Sequence, residues 1–263
     1  MTDRSDPLRT WIGSSTADSI TLAGRDLPSE VMGRLSLTEL AFLLLTRREP
    51  SDGERRLLDA VLVSLADHGL TPSALAARLT YTGAPEAIQG AVAAGLLGAG
   101  SVFLGPAGDT AEFLAEALGA HAGGRADDET LAEVARLAVG ERVASGLRVP
   151  GLGHPVHRSE DPRTARLFEL AAAEGLLGPH ARLLQHVAGA HETAGGRRLP
   201  INGAGAGGAV LVDIGIAPGD VRGVVLIART AGLVAHLAEE ATQPIGMPLW
   251  LDVEGRSRPT GPA

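Results

Sequence analysis

The sequence PGLGHPVHRSEDPR, residues 150–163, places two histidines and two arginines in a short segment rich in glycine and proline. The proline after His154 keeps this residue out of helical geometry, so its imidazole projects from a loop. Asp161 and Pro162 predict an N-cap followed by proline at the first helical position, which puts Arg163 near His154. A histidine beside a forked guanidinium suits a carbonyl next to a carboxylate, as in a keto acid. The alternative is a surface turn with scattered basic side chains, and the clustering favours a ligand site over it.

The composition of the chain narrows its class. Its 263 residues are 44% hydrophobic but only 3% aromatic, and alanine and leucine dominate, which favours helices and allows one or two domains. The net charge of −8 argues against nucleic acid as the main partner. All 23 residues counted as lysine or arginine are arginine, so no lysine can form a Schiff base. The absence of cysteine excludes disulfides, a thiolate nucleophile and a cysteine-based zinc site.

Several short patterns predict where helices begin. Capping residues or a proline precede apolar periodic runs at each of them. These predicted starts are Ser36, Ser51, Thr71-Pro72, Ala84-Pro85-Glu86, Asp109-Thr110, Asp161-Pro162 and Pro218-Gly219-Asp220. A few short strands near residues 10–25 are an option, although no dipeptide typical of a tight hairpin lies between alternating strands.

No secretion signal or membrane-spanning segment is predicted. Residues 1–11 are polar and acidic and lack the apolar run of a secretion signal, so we expect a cytoplasmic protein. The apolar segment 224–238 contains Arg229 and His236 and is too short and too polar to span a bilayer. We expect it to form a buried core helix, and we expect no membrane partner.

The glycine-rich sequence GAGAGG at 203–208 satisfies the G-x-G-x-x-G pattern of dinucleotide-binding proteins. That function requires a strong strand before the glycines and a parallel sheet, and residues 197–201 form a poor strand. We therefore expect these glycines to permit close helix packing or a hinge.

Residues 151–163 resemble the GxGHxV…DPR segment of the citrate synthase superfamily, which includes the short citryl-CoA lyases and the lyase module of ATP-citrate lyase. Three further segments resemble family segments in the same order. They are LLDAVLVSLADHGLTPSALAAR at 57–78, residues 83–117, and IARTAGLVAHLAEE at 227–240. The resemblance covers most of residues 20–250.

The resemblance implies an all-α, citrate synthase-like fold. A large helical domain would comprise residues 1–105 and 207–263, and a small helical domain, residues 106–206, would be inserted between them. The site would lie in the cleft, and the family would imply a homodimer. The implied reaction cleaves citryl-CoA to acetyl-CoA and oxaloacetate, or condenses these two, with a coenzyme A thioester as substrate and no metal. It needs a base for the thioester methyl and hydrogen-bond donors to the reacting oxygens.

The family's functional residues map onto several positions of this sequence. His154 matches the catalytic histidine that donates to the ketone or alcohol oxygen. Arg163 and Arg229 match arginines that hold substrate carboxylates, and His68 matches a histidine that lines the keto-acid pocket. Two loop residues could contact the coenzyme A phosphates or could simply be solvated, namely His157 and Arg158.

Some of these residues have structural alternatives. His68 could interact with a helix dipole. Arg229 lies in an apolar helix, where burial is costly without an anionic partner, and that partner could be Glu239 or Glu240 instead of a ligand. His236 shares a helix face with Arg229 and either supports the site or makes a helix–helix contact.

Two catalytic positions of the family are altered. The glycine-rich turn at 100–109 has Phe103 or Leu104 where the family has the histidine that donates to the thioester oxygen. Ala204, in Asn202-Gly203-Ala204-Gly205, stands where the family has the catalytic aspartate, and it cannot accept a proton. Asp109 and Glu112 are the acids that could replace it.

These departures leave three interpretations of the function. The first is an active carbon–carbon lyase or synthase with altered acid–base groups. The second is a repurposed enzyme that acts on another acyl-CoA or keto acid. The third is a non-catalytic homologue that binds a di- or tricarboxylate or an acyl-CoA.

Overall fold

The computed structural model describes residues 9–258, so most of the polar N-terminal segment and the last five residues lie outside the described part of the chain. Eleven α-helices follow a small sheet, which confirms the all-α prediction. The strands are β1 Gly13–Ser15, β2 Ile20–Leu22 and β3 Arg25–Asp26, followed by a π-helical turn at Leu27–Val31. The α-helices are α1 Leu37–Thr46, α2 Asp52–Ala66, α3 Pro72–Gly83, α4 Ile88–Phe103, α5 Gly105–His121, α6 Asp128–Ala144, α7 Pro162–Ala173, α8 Pro179–Thr193, α9 Gly203–Asp213, α10 Val221–Thr242 and α11 Gly246–Arg256; a short 3₁₀ turn at Pro218–Asp220 precedes α10.

The sheet is an antiparallel meander in the order β1-β2-β3, so short strands do form near residues 10–25. Its second connection is a two-residue turn at Ala23 and Gly24, both of which have positive φ. The turn residues are not a typical hairpin dipeptide, because an alanine occupies a conformation that usually selects glycine or asparagine.

Side-chain caps define four helix starts as predicted. Ser36 and Ser51 form capping boxes, and Thr71 and Asp161 cap α3 and α7. The predicted start at Asp109 was wrong, because α5 begins at Gly105 and already contains Asp109. Helix α4 is kinked near its C-terminal end at Gly100, whose φ of 51° interrupts the helical geometry.

The glycines at 203–208 lie in the N-terminal half of α9 and permit close packing, as expected. A Cβ on Gly208 would lie 2.2 Å from the Ala107 carbonyl oxygen in α5, and one on Gly205 would lie 2.6 Å from the Gly151 Cα atom. No parallel sheet exists within residues 9–258, so the dinucleotide-binding alternative lacks the architecture it requires.

Helix α10 runs through the structure and packs against α2, α3, α4 and α5. By length and composition alone, residues Pro218–Thr242 could cross a membrane. However, α10 buries Arg229 and Glu240 together with its apolar face, and these contacts support the expected core helix.

One buried core extends across the predicted domain boundaries at 105/106 and 206/207. It includes Leu57 and Leu58 from α2, Leu114 from α5 and Leu184 from α8. The division into a large and a small domain stays a prediction.

Candidate active site

A cavity of about 1170 Å³ opens where α2, α4, α5, α10 and the loop 145–161 meet. Four of the predicted site residues line it: His68, His154, Arg163 and Arg229. The fold therefore brings together side chains from the end of α2, the glycine-rich loop, α7 and α10.

His154 is held by its own loop. Its Nδ1 accepts hydrogen bonds from the backbone amides of Val156, at 3.1 Å, and His157, at 3.0 Å. An imidazole nitrogen that accepts has no proton, so these bonds place the proton of the neutral ring on Nε2. His154 can therefore donate to a substrate oxygen through Nε2, as the predicted role requires.

Three imidazoles cluster at this side of the cavity. The ring centre of His154 lies 4.4 Å from that of His157 and 5.4 Å from that of His68. Burial lowers the pKa of His154, and the neighbouring charges of His157 and Arg163 lower it further against the opposing effect of Asp161. Burial also lowers the pKa of His68, as do Arg163 and His157. His68 and His154 therefore lie where a bound anion would be favourable.

The three rings are close enough for their nitrogens to share a metal ion. The geometry of His154 does not fit this use, because its Nδ1 already accepts two amide protons and its Nε2 carries the ring proton. A metal at Nε2 would need the other tautomer and would break both backbone bonds.

Arg163 is fixed by the carboxylate that caps its own helix. Its Nε lies 3.0 Å from Asp161 Oδ1 and its Nη2 lies 2.8 Å from Asp161 Oδ2. Asp161 is fully buried and also accepts the Gly203 amide at 2.7 Å. Burial alone would raise the pKa of Asp161, but the bonds from Arg163 and Gly203 outweigh it and hold that pKa well below its usual range. The pair stays ionised and orients Arg163 at the cavity wall.

Arg229 is 9% exposed, and its Nε and Nη1 have no hydrogen-bond partner. Its neighbouring carboxylate is Asp67, whose Oδ1 lies 3.8 Å from Nη1 and 2.8 Å from His236 Nε2. Burial lowers the pKa of Arg229 and Asp67 opposes this effect. Arg229 lines the cavity, and a buried guanidinium with two nitrogens that lack hydrogen-bond partners is a site for an anion.

The two glutamates considered as alternative partners of Arg229 form ion pairs with a different arginine. Glu240 and Glu239 bind Arg78, at 2.5 Å and 2.7 Å. They lie about three turns beyond Arg229, roughly 16 Å along the helix, which is too far for a contact. His236 does share a face with Arg229, since both approach Asp67.

The side of the cavity where the family has its acid–base groups is apolar. Leu104 is 3% exposed, Phe103 lies beside it at the cavity, and Ala204 presents a methyl group. The carboxylates that line the cavity are instead on α5, at Asp109, Glu112 and Glu116.

The remaining predicted residues lie on the loop after His154. His157 is half-buried beside His154, and Arg158 is exposed. Their assignment to coenzyme A stays a prediction.

Sequence reasoning missed three supporting residues. Asp161 was predicted only as a cap, and the pairing of Asp67 with His236 was not predicted. Asn202 was treated as part of the altered motif, yet its Nδ2 donates to the Gly153 carbonyl at 2.9 Å and its Oδ1 accepts the Gly205 amide at 2.8 Å. The signal was present in the N-cap pattern Asn202-Gly203-Ala204-Gly205.

These contacts define a helical protein whose cavity has one end suited to carboxylates. Comparison with known proteins identifies the family: residues 17–248 match the citrate synthase C-terminal domain family, and the chain belongs to it. The chain is 30% identical over 222 residues to proteins from Mycobacterium tuberculosis and Mycobacterium bovis named "Putative citrate synthase 2". This match covers 81% of the chain but only 55% of those relatives, so the chain spans about half their length.

Solved structures extend the likeness to the whole fold. The citryl-CoA lyase from Hydrogenobacter thermophilus is 30% identical, with a TM-score of 0.85 over 97% of this chain and 95% of that one. The ATP citrate lyase from Methanosaeta concilii, solved with (3S)-citryl-CoA, is 22% identical with a TM-score of 0.73 over 98% of this chain and 42% of that one, a likeness of fold alone.

Proposed function

We propose that this chain binds a keto acid and a coenzyme A thioester and makes or breaks the carbon–carbon bond between them, as in citryl-CoA cleavage to acetyl-CoA and oxaloacetate. The observation that carries this proposal is Arg229, a buried guanidinium with two unpartnered nitrogens at the cavity. An anionic ligand is the partner that this side chain lacks.

In this proposal four polar residues act on the keto acid and two on coenzyme A. Arg229 and Arg163 hold carboxylates, and Arg163 keeps its orientation through Asp161. His154 donates from Nε2 to the ketone oxygen and stabilises the negative charge that develops there. His68 lines the same pocket, and His157 and Arg158 would contact the phosphates of coenzyme A. The Hydrogenobacter citryl-CoA lyase supports this choice by its similarity along nearly the whole chain.

Two parts of the proposal concern the assembled protein. We infer a homodimer, because large apolar side chains stay exposed on several helices, such as Leu97 on α4, Val234 on α10 and Trp250 on α11. We also propose that the protein is cytoplasmic, because residues 1–11 lack the apolar run of a secretion signal.

A second candidate is a non-catalytic or repurposed homologue that binds a di- or tricarboxylate or an acyl-CoA. Leu104 and Ala204 favour it, because neither can donate or accept a proton. Losing a general base typically costs about a hundred- to ten-thousand-fold in rate.

The decisive experiment incubates the purified chain with citryl-CoA and follows release of acetyl-CoA and oxaloacetate, with the condensation reaction alongside. Turnover above the uncatalysed rate that is lost in His154→Ala supports the lyase or synthase. Oxaloacetate binding without turnover supports the second candidate, and neither binding nor turnover contradicts both.

The variant Ala204→Asp distinguishes the candidates further. It restores a carboxylate at the position where the family has one. A large gain in turnover over a nearly inactive parent would favour a lyase ancestry with a lost base. No gain over an active parent would indicate that another group already serves as the base.

A further inference from the structure

Contacts at the start of α9 place Ala204 between two fixed parts of the candidate site. A Cβ on Gly203 would lie 2.5 Å from Arg163 Nε, and one on Gly205 would lie 2.6 Å from the Gly151 Cα atom. Ala204 is the residue between these two glycines, and it lines the same cavity as Arg163. The first turn of α9 therefore presents a methyl group to the end of the cavity where the keto acid would bind.

The cavity wall near this methyl group is also apolar. Leu65 lines the cavity, and its Cδ1 lies 3.5 Å from the place that a Cβ on Gly207 would occupy, about one turn along α9 from Ala204. Val225 is buried and lines the cavity about one turn before Arg229 on α10. A charged group placed against these side chains loses its hydration and gains no ion pair from them.

The two carboxylates nearest to the site arginines are already engaged. Asp161 accepts four hydrogen bonds of 2.7–3.1 Å, one from the Gly203 amide and three from Arg163. Asp67 is bonded to His236 Nε2 at 2.8 Å. Neither carboxylate lines the cavity. Neither is therefore placed to take a proton from a substrate carbon.

The carboxylates that line the cavity lie on the far side of α5. Ala107 and Thr110 of α5 pack against α9 and the glycine-rich loop. At about 3.6 residues per turn, the exposed residues Asp109, Glu112 and Glu116 lie on the opposite side of this helix. The side of α5 that faces α9 therefore offers no carboxylate.

We propose that the acyl donor of this site is a malonyl-type thioester, which carries a carboxylate on the carbon that attacks the keto acid. This inference rests on the proposed function. Loss of CO₂ from such a donor forms the enolate directly. The C–C bond to the carboxylate breaks, and its electron pair stays on the carbon next to the thioester carbonyl. No C–H bond breaks in this step, so it needs no general base from the protein.

The enolate carbon then forms a C–C bond with the ketone carbon of the keto acid. The C=O π electrons move to the ketone oxygen, where the Nε2–H of His154 stabilises the alkoxide until it takes a proton from water. With oxaloacetate the products are citryl-CoA and CO₂. The apolar wall favours the first step, because a carboxylate without hydration or a cationic partner gives up neutral CO₂ more readily.

Parallel assays with malonyl-CoA and acetyl-CoA, each with oxaloacetate, test this proposal. Citryl-CoA formation is followed in both, and release of labelled CO₂ from carboxyl-labelled malonyl-CoA should require oxaloacetate. The parent should use malonyl-CoA about a hundredfold or more faster than acetyl-CoA, the usual contribution of a general base.

The variant Ala204→Asp should reverse this preference, because its carboxylate can take a proton from acetyl-CoA and repels the carboxylate of malonyl-CoA. Ala204→Asn adds a similar volume without charge and is the matched control. It should gain no acetyl-CoA turnover. Circular dichroism should show the same helical content in both variants and the parent.

Three outcomes overturn the proposal. The parent could use the two thioesters equally, or it could turn over acetyl-CoA in a way that is lost in Asp109→Asn or Glu112→Gln, so that α5 supplies a base. It could also bind oxaloacetate and use neither thioester, which would favour the non-catalytic candidate. Absence of oxaloacetate binding in the parent would instead contradict the proposed function.

Discussion

Arg78 and Arg229 are both buried in helical surroundings, yet their partners differ completely. Arg78, 2% exposed, binds Glu240 at 2.5 Å, Glu239 at 2.7 Å and the Gln243 carbonyl at 2.9 Å. Arg229, 9% exposed, leaves two nitrogens unpartnered. The first arginine joins α3 to the end of α10, whereas the second faces a cavity. Burial of an arginine is therefore uninformative until its partners are known, and the unpaired one indicates a ligand.

The largest effect should come from Arg78→Gln. Removing this charge leaves the buried carboxylate of Glu240 without its ion-pair partner, which typically costs about 3–5 kcal/mol in the free energy of unfolding. Denaturant unfolding would measure this loss. Oxaloacetate affinity of the folded fraction should stay parental, and a variant as stable as the parent would contradict the structural role of Arg78.

Arg229→Gln should have the opposite profile. Oxaloacetate binding should weaken by about 30-fold or more, since loss of a buried charged partner costs about 2 kcal/mol or more. The free energy of unfolding should fall much less than in Arg78→Gln, because Nε and Nη1 make no hydrogen bond and the nearest carboxylate, Asp67, lies 3.8 Å away. Thermal unfolding with and without oxaloacetate tests both parts, with Arg78→Gln as the matched control. A large fall in the free energy of unfolding would mean that Arg229, like Arg78, stabilises the fold instead of binding a ligand.

The contrast also shows how far sequence reasoning reaches. Capping patterns predicted helix starts correctly where a Ser, Thr or Asp side chain accepts a free backbone N–H group of the first helical turn. This is the case at Ser36, Ser51, Thr71 and Asp161. They failed at Asp109, where a capping residue lies inside a helix that had already begun at Gly105.

Sequence patterns did not predict which side chains from distant segments of the chain contact each other. The His154–Arg163 neighbourhood followed from one short motif. The position of the carboxylate nearest to Arg229 did not, because Asp67 follows α2 and meets α10 only after the helices pack. Likewise, the tautomer of His154 depends on amide directions within the loop, which sequence spacing does not define.

Ligand binding should strengthen as the pH falls towards the ordinary pKa of histidine. The pKa values of His68 and His154 are lowered in the free protein, so the folded state resists protonation and loses stability below about pH 6.5. A bound dianion favours the charged form of His68, and the proton taken up changes affinity by up to about tenfold per pH unit. His154 stays neutral, because its Nδ1 accepts two backbone amide protons.

The thermal shift caused by oxaloacetate should therefore be larger at pH 6 than at pH 8. In His68→Asn the pH dependence should shrink. A shift that is equal at both pH values would mean that the imidazoles do not face the anion.

The smallest effect should come from His236→Asn. His236 binds Asp67, the carboxylate nearest to Arg229, and does not line the cavity. Its loss should free Asp67 to approach Arg229 and weaken oxaloacetate binding by about two- to tenfold, the value of one hydrogen bond. Thermal unfolding at increasing oxaloacetate concentrations measures the affinity of His236→Asn and of Arg229→Gln. An equal loss of affinity in the two variants would mean that His236 contacts the ligand directly.

The central claim is that Arg229 Nε and Nη1 lack hydrogen-bond partners because a carboxylate of the substrate binds this guanidinium. Calorimetric titration of oxaloacetate into the parent, Arg229→Gln and Arg78→Gln tests it most directly. We expect one molecule bound per chain in the parent and in folded Arg78→Gln, and binding weakened by about 30-fold or more in Arg229→Gln. Equal affinity in the parent and Arg229→Gln would contradict the account.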